Sequence, residues 1–311
     1  MKKRIEMKKA LPFLLLLFVC VSLPSKAQYT TAPKFISKFG LGFCLPDFAS
    51  SASNELGSVI DYGVTDVPGL APLEVPEYKG MYGFSVNYGL DYLLKNGIFF
   101  ETGVGFTYLK LKNDFANDRL AYTYKGIRYA MDYGCNEKYS ISYIQVPVLI
   151  GYDLDFDVSS SVRINAGVIA GIGVSAKCKL ENGYSNYTTK NNGDASSVYS
   201  GNVDLYSGDY SISQTYMTGI QDTYEYKDKV AAPFKRFDLA LSVGASYVIR
   251  SFEFGVAYNI GLLNIANDEY FSSTNRVGGC LFPGRVIRSE QGIYDYKHKV
   301  NILRFFVNYC L

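Results

Sequence analysis

The stretch Met81–Tyr92, MYGFSVNYGLDY, alternates strictly between two kinds of side chain. From Tyr82 to Tyr92 the even positions are large and apolar, whereas the odd positions from Gly83 to Asp91 are small or polar. A period of two residues is that of a β-strand, whose successive side chains point to opposite faces of the sheet. Because the second face carries Gly, Ser and Asn with few charges, it suits a crowded polar interior better than a wet surface. The stretch predicts a strand of a barrel with apolar side chains towards lipid and polar side chains in the lumen.

Eight segments of the chain repeat this alternation, and short and long connections follow one another between them. The segments are 34–47, 80–94, 97–112, 139–154, 161–180, 234–249, 251–265 and 298–311. The long connections are 48–79, 113–138, 181–233 and 266–297. Outer-membrane barrels have short periplasmic turns and long extracellular loops, so we expect both termini in the periplasm. We predict an all-β fold, an eight-stranded antiparallel up-and-down transmembrane β-barrel that closes without an exposed edge.

The N-terminal residues have the pattern of a targeting segment, so we do not expect them to be part of the fold. A lysine-rich start precedes the apolar run Leu11–Leu23 and the small-residue stretch Ser25-Lys26-Ala27. This order is typical of a signal peptide over residues 1–27, which leaves a barrel domain at 28–311. The alternative, a membrane anchor helix, would need a longer apolar run. We expect a monomeric barrel in the outer membrane with lipid as its surroundings. The net charge of +2, without a strong basic cluster after residue 27, argues against a nucleic-acid partner.

Two strand motifs resemble a known family. The segment Ile144–Tyr152, IQVPVLIGY, and the aromatic final strand Phe305–Tyr309, FFVNY, together with Gln28 after the Ala-ending signal, are similar to the PorT-like outer-membrane β-barrel family of Bacteroidota. Gly151 stands where that family's mid-chain strand usually has a basic residue. The resemblance implies the barrel architecture. One family member is tied to protein secretion, so a secretion-system protein is a candidate partner by analogy alone.

Charged residues on the lumen parity form the first candidate site. An eight-stranded barrel is just wide enough for side chains to fill its interior, and buried charges must be paired. We therefore predict an internal network of ion pairs, with a narrow polar conduit as the alternative. Its candidate members are Lys38, Asp91, Glu101, Arg163, Asp238, Glu253 and Arg304.

The 181–233 connection forms the second candidate site, because it is rich in Tyr, Ser, Gly and Asn. That composition resembles adaptable binding loops, although a solvated loop that merely extends a hairpin is the simpler interpretation. The candidate binding residues are Tyr199, Tyr206, Tyr210, Tyr216 and Tyr224. Cys135 and Cys178 lie at the same predicted end of neighbouring strands and form a candidate disulfide in this oxidising compartment.

No motif predicts an enzyme, a metal or a cofactor. The only histidine, His298, has Ser289, Glu290 and Asp295 nearby in sequence, but no spacing here specifies a catalytic triad. The acidic residues of the 181–233 connection lack the spacing of a calcium loop. We expect a non-enzymatic outer-membrane protein that is structural or binds a ligand or an extracellular partner through its loops. The alternatives are a small porin-like channel and, less favoured, a secretion accessory or a lipid-modifying enzyme.

Overall fold

The computed structural model describes residues 33–53, 79–124, 127–157, 159–189, 193–217, 221–229, 231–267 and 295–311. The predicted signal peptide lies outside this part of the chain. The described part forms eleven strands: β1 Lys34–Ser53, β2 Lys79–Leu93, β3 Ile98–Tyr124, β4 Ile127–Asp157, β5 Ser160–Thr189, β6 Gly193–Asp204, β7 Asp209–Tyr216, β8 Asp222–Lys229, β9 Phe237–Ile249, β10 Phe252–Gly261 and β11 Asp295–Cys310.

Eight of these strands close into a ring, as the sequence predicts. Going round the ring, β1, β2, β3, β4, β5, β9, β10 and β11 each pair antiparallel with the next, and β11 returns to β1. The first and last strands are joined in register from Lys38 opposite Cys310 to Ser53 opposite Asp295. Closure leaves no unpaired edge along the ring, which is the condition for crossing lipid with strands.

Tight turns and both described termini share one end of the ring, which we call the short-turn end. The β2–β3 turn uses Gly97 at a φ of 84°, and the Asn96 side chain accepts a hydrogen bond from the Ile98 amide at 3.2 Å. Positive φ is the reason this turn needs glycine. The β9–β10 turn similarly places Arg250 at a φ of 54°. We call the opposite end, where long segments connect the strands, the long-loop end.

The outer wall of the ring carries a belt of half-exposed apolar side chains. These are the large apolar positions of the sequence pattern, and they include Phe39, Leu41, Phe43, Phe84, Val104, Val148, Ile172, Phe254, Phe305 and Val307. Aromatic pairs mark its borders: Phe252 and Tyr309 lie 5.4 Å apart towards the short-turn end, and Phe84 and Tyr108 lie 5.3 Å apart towards the long-loop end. A continuous apolar surface of this kind is exceptional in a protein surrounded by water.

The strands are longer at the long-loop end than the sequence alternation predicts. The β3–β4 ladder continues as far as Tyr124 opposite Ile127, so the segment predicted as a loop at 113–138 is strand wherever the structure describes it. The predicted loop at 181–233 likewise contains the end of β5 and the whole of β6, β7 and β8. The alternation in Ser197–Leu205 and Tyr210–Tyr216 favours extended strand, in agreement with β6 and β7, whereas β8 has no apolar row that would mark it as a strand.

Strands β6, β7 and β8 form an insertion that continues the sheet from β5 away from the ring. Up to Ile172, β5 pairs with β9, whereas from Lys177 onwards it pairs with β6 instead. The ladder then runs through β7 to β8, which pairs on one side within the described residues. The chain therefore leaves the ring after β5 and returns to it at β9.

Candidate functional site: a lumen filled at two levels

Lys38 on β1 is the centre of an ion-pair cluster near the short-turn end. Its ammonium lies 3.0 Å from Asp91, 2.9 Å from Glu101 and 3.4 Å from Glu253. The three carboxylates come from β2, β3 and β10, so one side chain joins four strands across the lumen. Lys38 is 1% exposed, and a charge so buried is stable only when it is paired.

Arg163 on β5 extends the cluster to the other side of the ring. Its Nη1 donates to Asp91 at 2.9 Å, and its Nε donates to Asp153 at 2.8 Å. The guanidinium also lies over the Phe99 ring, 5.3 Å from the ring centroid. Asp91 thus binds both cations, which makes it the link between the two halves of the cluster.

Neutral side chains complete the coordination of Glu253. Its Oε1 accepts a hydrogen bond from Ser246 at 2.6 Å, and its Oε2 accepts one from Asn308 at 2.8 Å. Both donors lie on strands next to β10, on the same lumen-facing parity. We call the set Lys38, Asp91, Glu101, Asp153, Arg163 and Glu253 the ionic plug.

The ionic plug brings together five of the seven predicted lumen charges. The other two lie too far along the strands: Asp238 is opposite Gly171, eight ladder positions from Arg163, and Arg304 is opposite Cys44, six positions from Lys38. Asp238 accepts a hydrogen bond from the adjacent Leu239 amide at 2.8 Å, and Arg304 lies over the Phe306 ring. The alternation identifies the face of a residue, but the register that sets its height was not available from sequence.

Asp153 is the member that sequence reasoning missed. It lies on the lumen parity of β4, so its position in the alternation was the available signal. It stands close to the end of its strand, and its amide donates to the Gly97 carbonyl in the β2–β3 turn at 2.8 Å. A carboxylate next to a turn is usually assigned to solvent, yet Asp153 is only 5% exposed.

A small cavity of about 30 Å³, lined by both polar and apolar side chains, lies beyond the ionic plug, towards the long-loop end. Its walls include residues from all eight ring strands, among them Asn87, Gln145, Asn308 and Arg304. The Asn87 Oδ1 and Arg304 Nε atoms are buried without a hydrogen-bond partner among the described residues. This volume and these two polar atoms suit about two water molecules, not an organic solute.

Apolar side chains fill the lumen at the long-loop end. Leu109, Leu111, Tyr139, Ile141, Tyr143, Ala176, Cys178, Leu180, Val300 and Ile302 reach inwards from the ring, and Tyr199, Val203, Leu205, Tyr206 and Ile212 join them from the insertion. The β6–β7 turn is held in place by the backbone, because the Leu205 amide donates to the Ala176 carbonyl at 2.7 Å and the Phe234 amide donates to the Leu205 carbonyl at 2.9 Å. We call this cluster the apolar plug.

Lumen glycines make room for the aromatic rings of both plugs. A Cβ atom at Gly173 would overlap the Tyr206 ring, and one at Gly151 would overlap the Phe99 ring. The absence of a side chain at Gly151 is therefore what admits Phe99, on which Arg163 lies. The glycine that departs from the PorT-like strand pattern has a packing role in this barrel.

The five candidate tyrosines of the insertion do not form one surface. Tyr199 and Tyr206 are buried in the apolar plug, and Tyr210 packs against it. Tyr216 and Tyr224 are exposed and meet edge to face at 5.7 Å, with Tyr226 also exposed on the same strand as Tyr224. Among the described tyrosines of the insertion, Tyr216, Tyr224 and Tyr226 are therefore the ones exposed to solvent.

The register does not bring Cys135 and Cys178 together. Cys178 stands opposite Tyr139, four residues from Cys135, and four residues of strand span about 13 Å. A disulfide joins Cα atoms that are less than about 7 Å apart. The Cys135 side chain lies outside the described residues, so the disulfide stays a prediction that this ladder does not favour.

The described residues contain no group of three or more His, Cys, Asp or Glu side chains arranged to hold a metal ion. The His298 side chain lies outside the described part of the chain. Among the described residues, no helix is long and apolar enough to cross a membrane.

The closed ring, its apolar belt and its filled polar lumen define the class of membrane β-barrels. The family described as "Outer membrane protein beta-barrel domain" matches residues 72–267, which is more than half of the chain. The chain belongs to this family, and an outer-membrane location follows from it. The match is to the general family and does not single out the PorT-like group.

No curated protein matches the chain. Among solved structures, it is similar to a Pseudomonas aeruginosa FadL homologue, with 9% identity over 89% of this chain and 90% of the other and a TM-score of 0.20. It is also similar to the toluene transporter TbuX of Ralstonia pickettii, with 10% identity over 88% of this chain and 89% of the other, again with a TM-score of 0.20. Scores this low carry no argument about barrel size or transport.

Proposed function

We propose that this protein is a closed, non-conducting outer-membrane barrel that acts through the structures it displays beyond the membrane. The proposal rests on one observation: the lumen is filled at two levels, by the ionic plug and by the apolar plug. The cavity between them has room for only about two waters, so a solute would have to displace packed side chains at both levels. A porin-like channel is the alternative.

We further propose that the long-loop end faces the cell exterior and that both termini lie in the periplasm. The support is the arrangement of connections, since outer-membrane barrels turn tightly on the periplasmic side. The insertion then stands outside the cell, with Tyr216, Tyr224 and Tyr226 exposed. Aromatic side chains of this kind supply contact area at low entropic cost, so they are the best candidate surface for a ligand or protein partner.

No enzymatic step is part of the proposal, and a secretion accessory role, by analogy with the PorT-like family, is a less favoured alternative. A single ring without an unpaired edge supports a monomeric barrel. Partner binding by the insertion would serve either a structural or a secretion-linked role.

Single-channel recording in planar bilayers tests the filled lumen. We expect no reproducible conductance steps from the wild-type protein in 1 M KCl. The double variant Lys38→Ala, Leu205→Ala removes side-chain volume from both plugs. It is the positive control, because conductance steps from it would show that the assay detects an open lumen in this barrel. Regular open steps from the wild-type protein would refute the closed barrel and favour the channel.

Cysteine labelling in whole cells tests the orientation. In a background where the native cysteines are replaced by serine, Lys227→Cys on β8 should react with a membrane-impermeant maleimide on intact cells. Lys95→Cys in the β2–β3 turn should react only after the outer membrane is permeabilised. The reverse pattern would place the insertion in the periplasm.

A further inference from the structure

Strand β8 forms the outer edge of the insertion. It pairs with β7 in an unbroken register, from Asp209 opposite Lys229 to Tyr216 opposite Asp222. Within the part of the chain that the structure describes, β8 has no second neighbour in the sheet, and every one of its residues is exposed. An edge strand of this kind displays backbone N–H and C=O groups with which another strand can pair.

The edge lacks most of the features that keep edge strands apart. The sequence of β8, DTYEYKDK, contains no proline, and its ladder with β7 runs without a bulge. Its ion pairs stay within the insertion and are largely exposed: Lys227 lies 3.5 Å from Glu225, and Lys229 lies 3.9 Å from Asp209. The protective feature that remains is charge, which selects among incoming strands rather than excluding all of them.

The two faces of β8 carry different side chains. Tyr224 and Tyr226 share a face with Tyr216, which meets Tyr224 edge to face at 5.7 Å. The opposite face carries Thr223, Glu225, Lys227 and Lys229. Residues directly opposite each other in a ladder point to the same face. A second copy of β8 that pairs antiparallel, with its tyrosines on the same face, must therefore place even-numbered residues opposite even-numbered ones.

Under this condition β8 is complementary to itself. When Tyr226 stands opposite Tyr226 of a second copy, Glu225 of each copy stands opposite Lys227 of the other. The remaining pairs join a charged and a neutral side chain, namely Thr223 with Lys229 and Tyr224 with Asp228. Opposite charges and aromatic pairs across a ladder each contribute about 0.2–1 kcal/mol. The two-fold symmetry provides each heterologous pair twice.

The neighbouring registers bring like charges together. A shift of two residues in one direction places Glu225 opposite Glu225, and a shift in the other direction places Lys227 opposite Lys227. Like charges directly opposite each other destabilise a ladder. The charges of β8 therefore select the register centred on Tyr226.

We propose that β8 pairs antiparallel with β8 of a second copy of this chain, around a two-fold axis at Tyr226. The same surface then serves both partners, as two-fold interfaces require. Each ring is still built from one chain, and the contact joins complete barrels through their insertions. A contact one strand wide is small, so the association is weak and reversible. This inference rests on the function proposed above and names the partner of the displayed insertion.

Site-specific disulfide formation tests the register in the folded protein in detergent. In a background with the native cysteines replaced by serine, Tyr226→Cys should form a disulfide-linked dimer under mild oxidation. Opposite Cα atoms of an antiparallel pair lie about 4.5–5.5 Å apart, which a disulfide can bridge. Thr223→Cys, on the same exposed strand, is the matched control. Its two copies would be displaced along the strands by about 20 Å and should not react.

Charge exchange separates pairing from misfolding. Glu225→Lys and Lys227→Glu each place like charges opposite one another twice, so each should weaken the dimer by about tenfold in sedimentation velocity. The double variant that carries both changes should dimerise like the wild type. An equimolar mixture of the two single variants should also recover dimers, because each copy supplies the charges that the other needs.

The proposal would be overturned by a wild-type protein that stays monomeric at every concentration, or by equal disulfide yields at the two cysteine positions. Unchanged association in both charge variants would likewise exclude the proposed register. A disulfide formed in cells between Tyr226→Cys and a different outer-membrane protein would assign the edge to another chain. Conductance and whole-cell labelling test the closed lumen and the orientation separately, so failure of self-pairing is distinguishable from failure of either.

Discussion

Lys38 shows how strongly a single residue can determine the interior of a small barrel. Its ammonium is shared by Asp91, Glu101 and Glu253, all within 3.4 Å. Replacing it with methionine keeps the volume but leaves the buried Asp91 and Glu253 and the largely buried Glu101 without their common cation. Breaking a buried ion pair in this way costs about 3–5 kcal/mol.

We therefore expect Lys38→Met to lower the urea midpoint for unfolding in lipid vesicles, followed by tyrosine fluorescence because the chain has no tryptophan. Lys95→Met, in an exposed turn, is the control and should change little. Adding Glu101→Gln to Lys38→Met should recover part of the loss, since it removes one unpaired charge. An unchanged midpoint in Lys38→Met would mean that the ionic plug contributes little to stability.

Glu181 provides a pH-dependent contribution outside the membrane. Hydrogen bonds from Lys138 and Lys179 lower the pKa of its carboxyl to about 2. Because this folded-state pKa lies below the unfolded value of about 4.3, the stabilisation is present above pH 4.3 and is lost as the pH falls towards 2. The midpoint difference between wild type and Glu181→Gln should be constant from pH 7 to pH 5 and should vanish near pH 2. A difference that persists at pH 2 would exclude ionisation as its cause.

Gly151 and Gly89 give a matched pair of lumen glycines. A methyl group at Gly151 would overlap both the Phe99 ring and the Ile164 carbonyl, whereas at Gly89 its nearest neighbour would be the Lys38 Cε at 3.5 Å. We expect Gly151→Ala to destabilise the barrel by about 1–3 kcal/mol, because a packed core resists added volume. Gly89→Ala should be neutral or slightly stabilising. Urea unfolding of both variants measures this difference, and equal midpoints would contradict the packing found at Gly151.

At the scale of elements, the insertion β6–β8 is both a displayed sheet and a part of the barrel interior. Leu205, in the turn between β6 and β7, is fully buried in the apolar plug and bonded to the β5 backbone. Leu205→Ala should cost about 2–5 kcal/mol, as for other buried leucines. Met217→Ala, on an exposed side chain of the same insertion, is the control. If both variants unfold at the wild-type midpoint, the insertion does not stabilise the ring.

The elements of the ring could be predicted from sequence, whereas in the insertion only β6 and β7 carry an alternation that favours a strand. In Met81–Tyr92 contact with lipid requires an apolar residue at every second position, and this alternation identifies the strand in the sequence. Among the described residues, β8, Asp222–Lys229, pairs with β7 alone, and all its residues are exposed, so no burial constraint shapes its sequence. The same reasoning applies to the candidate site: Lys38 and Glu253 were identified by parity. The isolation of Asp238 depended on a strand register that only the structure supplies.

For the molecule as a whole, the closed ring makes a direct prediction for gel electrophoresis. The ring has no edge at which detergent can begin to separate its strands, since β1 and β11 pair from Lys38 opposite Cys310 to Ser53 opposite Asp295. The unboiled protein in dodecyl sulfate should therefore migrate as a compact species, and the boiled protein should migrate more slowly. Identical mobility before and after boiling would count against the ring.

The location of the apolar plug has an evolutionary consequence. Part of the material that fills the long-loop end of the ring belongs to the insertion β6–β8, which leaves the ring after β5 and returns to it at β9, and whose Leu205 is hydrogen-bonded to the backbone of Ala176 and Phe234. Exchange of the insertion, by recombination or by design, could replace its part of the apolar plug while leaving all eight ring strands in place. Related barrels could thus evolve between closed and open lumens, or acquire a new binding surface, through the exchange of this one insertion.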